Sequence, residues 1–290
     1  MKYLLAGACA LLAALPGFAE NIPLKSYGQQ LVDEALIRNP DILVMALHSN
    51  LPHGAGIGIV ASNIGRYGKK ADADDMRVID TGKPNLELAH GNSRFEVESA
   101  LKDVSGDTIG AVGIVFRYHA GVDRPALQRR AEAIRDALAR HITNADNLLE
   151  QYPWDPAATT KTHAQKLVDA TMARHPHLLI MALHVRPPGA PANIILASSI
   201  GRIGKKADAD DMKVIDTGKP LLEVNAATHR RFEVEIALQD ASGRHIGALS
   251  TVFAYRAGDD RAAFLKRAEA IRDELRGQIP SLASLAVLDP

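Results

Sequence analysis

The sequence predicts an α+β protein of two tandem domains, each an antiparallel sheet of about five strands flanked by helices. The first observation is an internal repeat, because IGRYGKKADADDMRVIDTGKP (64–84) returns as IGRIGKKADADDMKVIDTGKP (200–220). A second pair, RFEVESALKDVSGDTIGAVGIVFRYHAGVDR (94–124) and RFEVEIALQDASGRHIGALSTVFAYRAGDDR (231–261), extends the repeat. Short β-rich runs between amphipathic segments in each copy give the third observation.

The repeat divides the chain into four parts. Residues 24–142 form repeat 1 and residues 161–280 form repeat 2, each long enough to hold its own core. Residues 143–160 contain Pro153, Pro156 and a threonine cluster, which indicate a linker. Residues 1–19 precede these parts and have a different composition.

The first half of repeat 1 predicts a helix, a hairpin and a short helix. YGQQLVDEALIRNP carries one apolar helical stripe and stops at Pro40. ILVMALHS and IGIVASN are β-rich runs joined by the breaker-rich NLPHGAG, so they predict a hairpin. Asp72 or Asp74 is expected to cap a short helix that ends at Thr81-Gly82.

The second half predicts three strands and a closing helix. In RFEVESALKD, Phe95 and Val97 alternate with Glu96 and Glu98, which is typical of a strand with one buried face and one polar, half-exposed face. TIGAVGIVFRYH is too apolar for a solvent-facing edge and predicts an interior strand. RPALQRRAEAIRDALARHI then has apolar residues near the 3.6-residue helical period.

The N-terminus predicts export to the periplasm or outside the cell. MKYLLAGACALLAALPGFAE has a basic residue, an apolar run too short for a transmembrane helix, and a small-x-small cleavage pattern ending at Ala19. Cys9, the only cysteine, lies inside this signal, so the mature chain is expected to form no disulfide. The 34 basic and 34 acidic residues balance, which argues against nucleic acid or an anionic membrane as a partner.

The order of elements and the D-x-S-G-x-x-I-G-A pattern at 103–111 and 240–248 resemble the PAS-like single Cache domain, an extracytoplasmic sensor module. This resemblance implies a small-molecule pocket between the sheet and the segment that follows the first hairpin. The aromatic and charged set of the amino-acid-binding double Cache receptors is not found, and Trp154, the only tryptophan, falls in the linker. The ligand is therefore not identified by the resemblance.

The segment implied to form the pocket carries the candidate ligand-binding residues. Arg66 and Lys69, repeated as Arg202 and Lys205, lie just before the predicted short helix, where backbone donors and cations together suit an anion. The alternative is ion pairing with the neighbouring aspartates on a solvated surface. His48 and His184, which end the strand MALH, are the third pair of candidates.

Other site chemistries receive little support from the sequence. The aspartates after Lys70 lack the glycine and glutamate spacing of a calcium loop, and no second His or Cys lies at ligand spacing from His48, so no metal or other cofactor is expected. GRYGKK lacks the spacing of a phosphate-binding P-loop. The chain has no G-x-S-x-G or H-E-x-x-H motif, so an enzyme is not expected.

The sequence thus favours an exported, soluble sensor or binding protein for a small, anionic molecule. A membrane receptor or transporter is the expected second partner, because no anchor or output segment is seen after SLASLAVLDP. The alternative is a structural or interaction module whose pockets are filled by its own side chains. The two hypotheses differ in whether each domain holds an accessible cavity.

Overall fold

A computed structural model describes residues 25–89 and 91–288 of the chain. The predicted signal peptide, residues 1–19, lies outside the described residues. The described chain contains two five-stranded antiparallel sheets, each flanked by helices, and this confirms the predicted fold class. None of the described helices combines the length and apolar character that a bilayer crossing requires.

Repeat 1 has the predicted order of helix, two strands, short helix, three strands and helix. Its helices are α1 (Tyr27–Arg38), α2 (Ala73–Thr81) and α3 (Arg124–Ala139). Its strands are β1 (Ile42–Asn50), β2 (Ile57–Ser62), β3 (Asn85–Ala89), β4 (Arg94–Lys102) and β5 (Thr108–Arg117). The strand order is β2-β1-β5-β4-β3, which places the apolar β5 at the centre.

Repeat 2 follows the same plan. Its helices are α4 (His163–Arg174), α5 (Ala209–Thr217), α6 (Arg261–Arg276) and α7 (Leu282–Leu285). Its strands are β6 (Leu178–Val185), β7 (Ile194–Ser198), β8 (Leu221–Val224), β9 (Arg231–Gln239) and β10 (His245–Ala254). The strand order β7-β6-β10-β9-β8 repeats that of the first sheet, so equivalent residues occupy equivalent places in the two sheets.

The main core of repeat 1 lies on the sheet face that α1 and α3 cover. Phe95, Val97 and Leu101 are buried there, as the alternation of β4 predicts. The helices contribute apolar side chains such as Val32 and Ile134. Removing this apolar surface from water is the main stabilising contribution to the domain.

The opposite face of the same sheet is covered by α2. Val78 of α2 packs on Ala100 and Ala111, which are small enough to let the helix approach the strands. Because of this cover, Glu98 is only 6% exposed. The interpretation of Glu98 as part of a half-exposed polar face is therefore wrong, since α2 shields a face that the strand pattern alone leaves open.

The two repeats contact each other through the β4–β5 turn of repeat 1. Val104 packs against Ile180, Ile200 and Val252 on the α5 side of the second sheet. At the same place, Nη2 of Arg231 donates to Oδ2 of Asp103 at 2.6 Å. The turn of one repeat thus seals part of the sheet face of the other.

The linker packs against repeat 2 at the repeated stretch identified in the sequence. The amide of Trp154 donates to the carbonyl of Ile203 at 2.8 Å, and the Ile203 side chain contacts Tyr152 and Ala158. Ile203 is 1% exposed, whereas Tyr67 at the matching position of repeat 1 is 62% exposed. The linker covers Ile203, and this contact explains why Ile203 is buried while Tyr67 is exposed.

We expect Ile203→Tyr to destabilise the protein by about 1–3 kcal/mol, because a larger, polar ring must enter a filled site. The matched variant Tyr67→Ile changes an exposed residue and is expected to alter stability by less than about 0.5 kcal/mol. Urea unfolding monitored by the fluorescence of Trp154 compares the two. Equal effects of both substitutions would contradict the structural difference between the two turns.

Candidate functional site

The candidate site begins with a histidine on the sheet face that a short helix covers, which is α2 in repeat 1 and α5 in repeat 2. His48 lies near the end of β1, where the pairing with β2 shifts register between Leu47 and His48. The neighbouring strand passes very close, since a Cβ at Gly110 would lie 1.8 Å from the His48 carbonyl oxygen. Glycine at this position is therefore required for β5 to pack beside the histidine.

An aspartate of the short helix faces this histidine. As predicted, α2 has Asp72 as its N-cap and the left-handed Gly82 as its C-cap. Asp75 completes a capping box, in which its Oδ2 accepts from the Asp72 amide at 2.8 Å. The other oxygen, Oδ1, lies 3.2 Å from Nδ1 of His48. The capping box thus fixes the direction of a carboxylate that points at the histidine.

Glu98 of β4 is the third member of this group. The reactive atoms of His48, Asp75 and Glu98 all lie within 4.8 Å of one another, and all three residues are buried. Burial and a hydrogen bond with Asp75 raise the pKa of Glu98 to about 9, so Glu98 is protonated at neutral pH. Burial opposes ionisation of Asp75, but its hydrogen bonds with Glu98 and Asp72 lower its pKa.

Burial also lowers the pKa of His48. A neutral imidazole, an Asp75 carboxylate and a protonated Glu98 therefore lie side by side, with one net negative charge in a shielded place. Lys69 is close enough to influence both His48 and Asp75, but its side chain is exposed.

Repeat 2 contains an equivalent group, except that one oxygen of Asp211, Oδ2, both accepts from the Asp208 amide and faces the histidine. Nδ1 of His184 lies 3.0 Å from Oδ2 of Asp211, and Glu235 completes a buried group within the same 4.8 Å limit. Burial and the charge and hydrogen bond of Asp211 raise the pKa of Glu235 to about 9. We call His48, Asp75 and Glu98 triad 1, and His184, Asp211 and Glu235 triad 2.

The structure brings the predicted histidines into the triads but not the predicted cations. In repeat 1, Arg66 and Lys69 are exposed. In repeat 2, Arg202 forms hydrogen bonds with both carboxylate oxygens of Glu150, including one of 2.8 Å. Lys205 lies over the ring of Trp154 at 5.4 Å from its centroid. The binding roles of all six residues stay predictions, although the repeated cations have different surroundings in the two copies.

Sequence reasoning missed the carboxylates of the triads. Asp75 and Glu98 are distant in sequence from His48 and from each other, so only the fold unites them. A signal was nevertheless present, because each carboxylate is repeated at the matching position, as Asp211 and Glu235. The expectation of no metal site was based on the spacing of residues in the sequence. Spacing does not reveal residues that only the packing of a helix on a sheet brings together.

A cavity of about 290 Å³ lies beside triad 2. Its walls come from the second sheet, α5, the turn that holds Arg202 and Lys205, and the start of the linker. His184, Lys205, Asp211, Glu233, Ser250 and Asn144 are among the lining residues. The Ser250 hydroxyl donates to Oε1 of Glu233 at 2.5 Å. The cavity therefore combines the polar face of the second sheet with groups from outside repeat 2.

A larger groove, of about 710 Å³, lies between α1 and α4. Its polar lining is partly paired already, because the Gln165 side chain donates to Asp169 and to the Ser198 carbonyl. Tyr27 and Tyr152 form another part of its wall, with ring centroids 5.5 Å apart. We therefore regard the groove as a seam between the repeats, whereas the smaller cavity has several charged groups converging on it.

The comparisons with known proteins do not identify a family. No protein-family model matches the chain, and no curated protein matches it either. Solved structures that resemble parts of it include an A. Aeolicus nlh2 GAF domain, with 14% identity, a TM-score of 0.33, and coverage of 40% of this chain and 83% of that one. The periplasmic domain of RsbU from Chlamydia trachomatis has 10% identity, a TM-score of 0.25, and coverage of 88% and 80%.

A third similar structure is an extracellular ligand binding receptor from Desulfohalobium retbaense, with 12% identity, a TM-score of 0.24, and coverage of 79% of this chain and 33% of that one. Scores of this size do not establish a common fold. The α+β architecture consequently rests on the strand order and pairing of the chain itself.

Proposed function

We propose that the protein binds a small anionic molecule in the cavity of repeat 2 and acts as an exported sensor or binding protein without catalysis. The observation that carries this proposal is the cavity of about 290 Å³, which is walled by polar and charged side chains. This volume is near the lower limit for small-molecule sites. A membrane receptor or transporter is proposed as the partner that reads the bound state.

The charges around the cavity favour an anion at one end. Arg202 and Arg231 line the cavity, but Glu150 and Asp103 already neutralise them. Lys205 also lines it, and its ammonium group contacts the face of an aromatic ring and no carboxylate among the described ion pairs. A carboxylate or phosphate of the ligand is therefore proposed to pair with Lys205.

The opposite wall suits hydrogen-bonding groups of the ligand. Ser250 and Glu233 lie on neighbouring strands, and Asn225 follows β8. Burial raises the pKa of Glu233. A small hydroxy or amino acid would place its anionic end at Lys205 and its hydroxyl or amine at Glu233 and Ser250.

Thermal-shift screening of the chain with carboxylates, amino acids and phosphates tests the proposal. At 100 times its Kd, a ligand stabilises the folded state by about 2.7 kcal/mol, which corresponds to a shift of several degrees in Tm. We expect Lys205→Ala to weaken this shift strongly and the matched Lys69→Ala in repeat 1 to preserve it. No shift with any compound, or an equal shift in both variants, would overturn the proposal.

A second candidate function, an interaction module, is supported by the exposed turn of repeat 1. Ile64 and Tyr67 are 43% and 62% exposed there, whereas the linker covers the equivalent turn of repeat 2. Such a module predicts a negative ligand screen. It also predicts loss of partner binding in Tyr67→Ala with unchanged Tm.

A further inference from the structure

The two triads combine the features of a metal site that no motif in the sequence reveals. Each supplies one imidazole nitrogen and two carboxylate groups from three separate elements: a strand, a helix N-terminus and a second strand. Five of the six residues are buried and the Asp211 side chain is 13% exposed, and each group of ligand atoms lies within 4.8 Å. Acidic clusters alone are common in proteins, so the unpaired atoms of the triads provide the decisive evidence.

Buried polar atoms normally have a hydrogen-bond partner. Within residues 25–89 and 91–288, five buried side-chain atoms have none, and three of these belong to the triads: Nδ1 of His48, Nδ1 of His184 and Oε1 of Glu235. His184 is 5% exposed and Glu235 is 3% exposed. Both histidine nitrogens lie close to a carboxylate oxygen, but the alignment is not that of a hydrogen bond.

The separations suit a shared ion. Two ligand atoms at about 2.0–2.2 Å from an ion and at tetrahedral or octahedral angles lie about 2.8–3.6 Å apart. The observed separations are 3.2 Å between Nδ1 of His48 and Oδ1 of Asp75, and 3.0 Å between Nδ1 of His184 and Oδ2 of Asp211. Each pair therefore needs little movement to coordinate one ion.

We propose that each triad binds one divalent first-row transition-metal ion through the histidine Nδ1 and an oxygen from each carboxylate. The mixed nitrogen and oxygen ligands favour zinc, iron, manganese or cobalt over calcium and magnesium, which prefer oxygen ligands alone. Three protein ligands leave at least one position of the ion open. This proposal does not depend on the small-molecule function. The triad is present in both repeats, whereas the cavity proposed to bind the small molecule lies in repeat 2.

The contacts around triad 1 hold its ligand groups in place. The Asp72 amide fixes one oxygen of Asp75 through the capping box, and the close approach of Gly110 fixes the backbone of His48. Such outer contacts orient ligands before the ion binds. In repeat 2, Asp208 and Gly247 occupy the matching places, with the Asp208 amide 2.7 Å from Oδ2 of Asp211.

Cobalt(II) and zinc(II) binding to the untagged, chelator-treated chain tests this inference. We expect two ions per chain by elemental analysis after gel filtration, and a visible absorption band for cobalt(II) that zinc(II) removes. His48→Ala and His184→Ala are each expected to reduce the content to one ion, and the double variant to none. These measurements use metal alone, so their outcome is separate from that of the small-molecule screen.

Two matched controls address non-specific binding to histidine. His53 and His229 are exposed and have left-handed backbones, with φ of 58° and 51°, which asparagine tolerates. His53→Asn and His229→Asn should retain two ions per chain. A metal content below one ion per two wild-type chains, or equal content in the double alanine variant, would overturn the proposal.

Two conservative substitutions keep the proposal testable if an alanine variant does not fold. If circular dichroism shows that an alanine variant is unfolded, Glu98→Gln and Glu235→Gln replace it, since they keep the shape of each side chain. Each is expected to weaken cobalt(II) binding to its own triad at least about tenfold. Unchanged affinity in both glutamine variants would exclude the glutamates as ligands and so refute the proposed sites.

Discussion

Replacing Arg231 with methionine is expected to lower the free energy of unfolding by about 3–5 kcal/mol, because a buried carboxylate loses its partner. The guanidinium group is enclosed between the repeats, with Arg231 7% exposed and Asp103 5% exposed. It donates to Asp103 at 2.6 Å, to the Thr143 carbonyl at 2.8 Å and to the Ser105 hydroxyl at 2.5 Å. One side chain therefore joins the β4–β5 turn, the linker and β9.

A double-mutant cycle with Asp103→Asn measures this contact. We expect the double variant to be more stable than the sum of the single effects predicts, with a coupling of at least about 1.5 kcal/mol. Urea unfolding followed by Trp154 fluorescence and circular dichroism provides the values. Arg94→Met, at the matching half-buried position of repeat 1, is the control and should cost less than about 1 kcal/mol. Additive single effects would show that the pair contributes no coupling.

The second large effect concerns the pH dependence of stability. In metal-free buffer, we expect the wild-type free energy of unfolding to fall as pH rises from about 5 to 8. The pKa of Glu98 and of Glu235 is raised from 4.5 to about 9 by burial and by the neighbouring aspartate. The folded chain therefore keeps protons in this range that the unfolded chain releases, so a rising pH favours the unfolded chain.

The direction is opposite for Asp75 and Asp211, whose pKa values are lowered from 3.8. Their stabilising contribution is complete above the unfolded pKa and is lost only when the pH falls through the folded value. Between pH 5 and 8 the glutamates make stability fall as the pH rises, and His48, whose pKa burial lowers, contributes a smaller slope of the opposite sign.

Glu98→Gln isolates this contribution. A glutamine carries no proton to lose, so the variant is expected to gain at least about 1.4 kcal/mol over wild type between pH 5 and pH 8, the value of one pKa unit. Thermal unfolding across this pH range in the presence of a chelator measures the gain. Glu87→Gln changes an exposed carboxylate of β3 and should run parallel to wild type. A wild-type curve that is flat over the same range would contradict the protonated state of Glu98.

Much of the fold follows from local patterns in the sequence. The period-two alternation of β4, the capping residues Asp72 and Gly82, and the breakers between β1 and β2 each predict an element that the structure contains. These features are visible because neighbouring residues determine them. Each of these patterns occurs again in the second copy, and the repeat therefore predicts two domains in tandem.

The site was harder to predict from the sequence than the fold, because it depends on contacts between residues that are distant in the chain. Glu98 belongs to a polar face in the strand pattern, and only the position of α2 shows that this face is covered. Arg202 looked like a free anion receptor, but Glu150 of the linker pairs with it. Histidines 48 and 184 were identified because they end an apolar strand, which is again a local signal.

The turn that seals one repeat against the next differs between the two repeats. Asp103, Val104 and Asp107 of repeat 1 contact Arg231, the second sheet and Arg230. In repeat 2 the corresponding turn has Asp240, Ala241 and Arg244, and Arg244 pairs with Asp240 at 2.9 Å within its own turn.

Because the repeats stack head to tail, the same contact between separate molecules would have no natural end point and would build a fibre. The second turn differs from the first at two of these positions, since Ala241 stands in place of Val104 and Arg244 in place of Asp107. We expect both substitutions to act against such growth, because a shorter apolar side chain fills less of the facing sheet and an arginine replaces the carboxylate that pairs with Arg230.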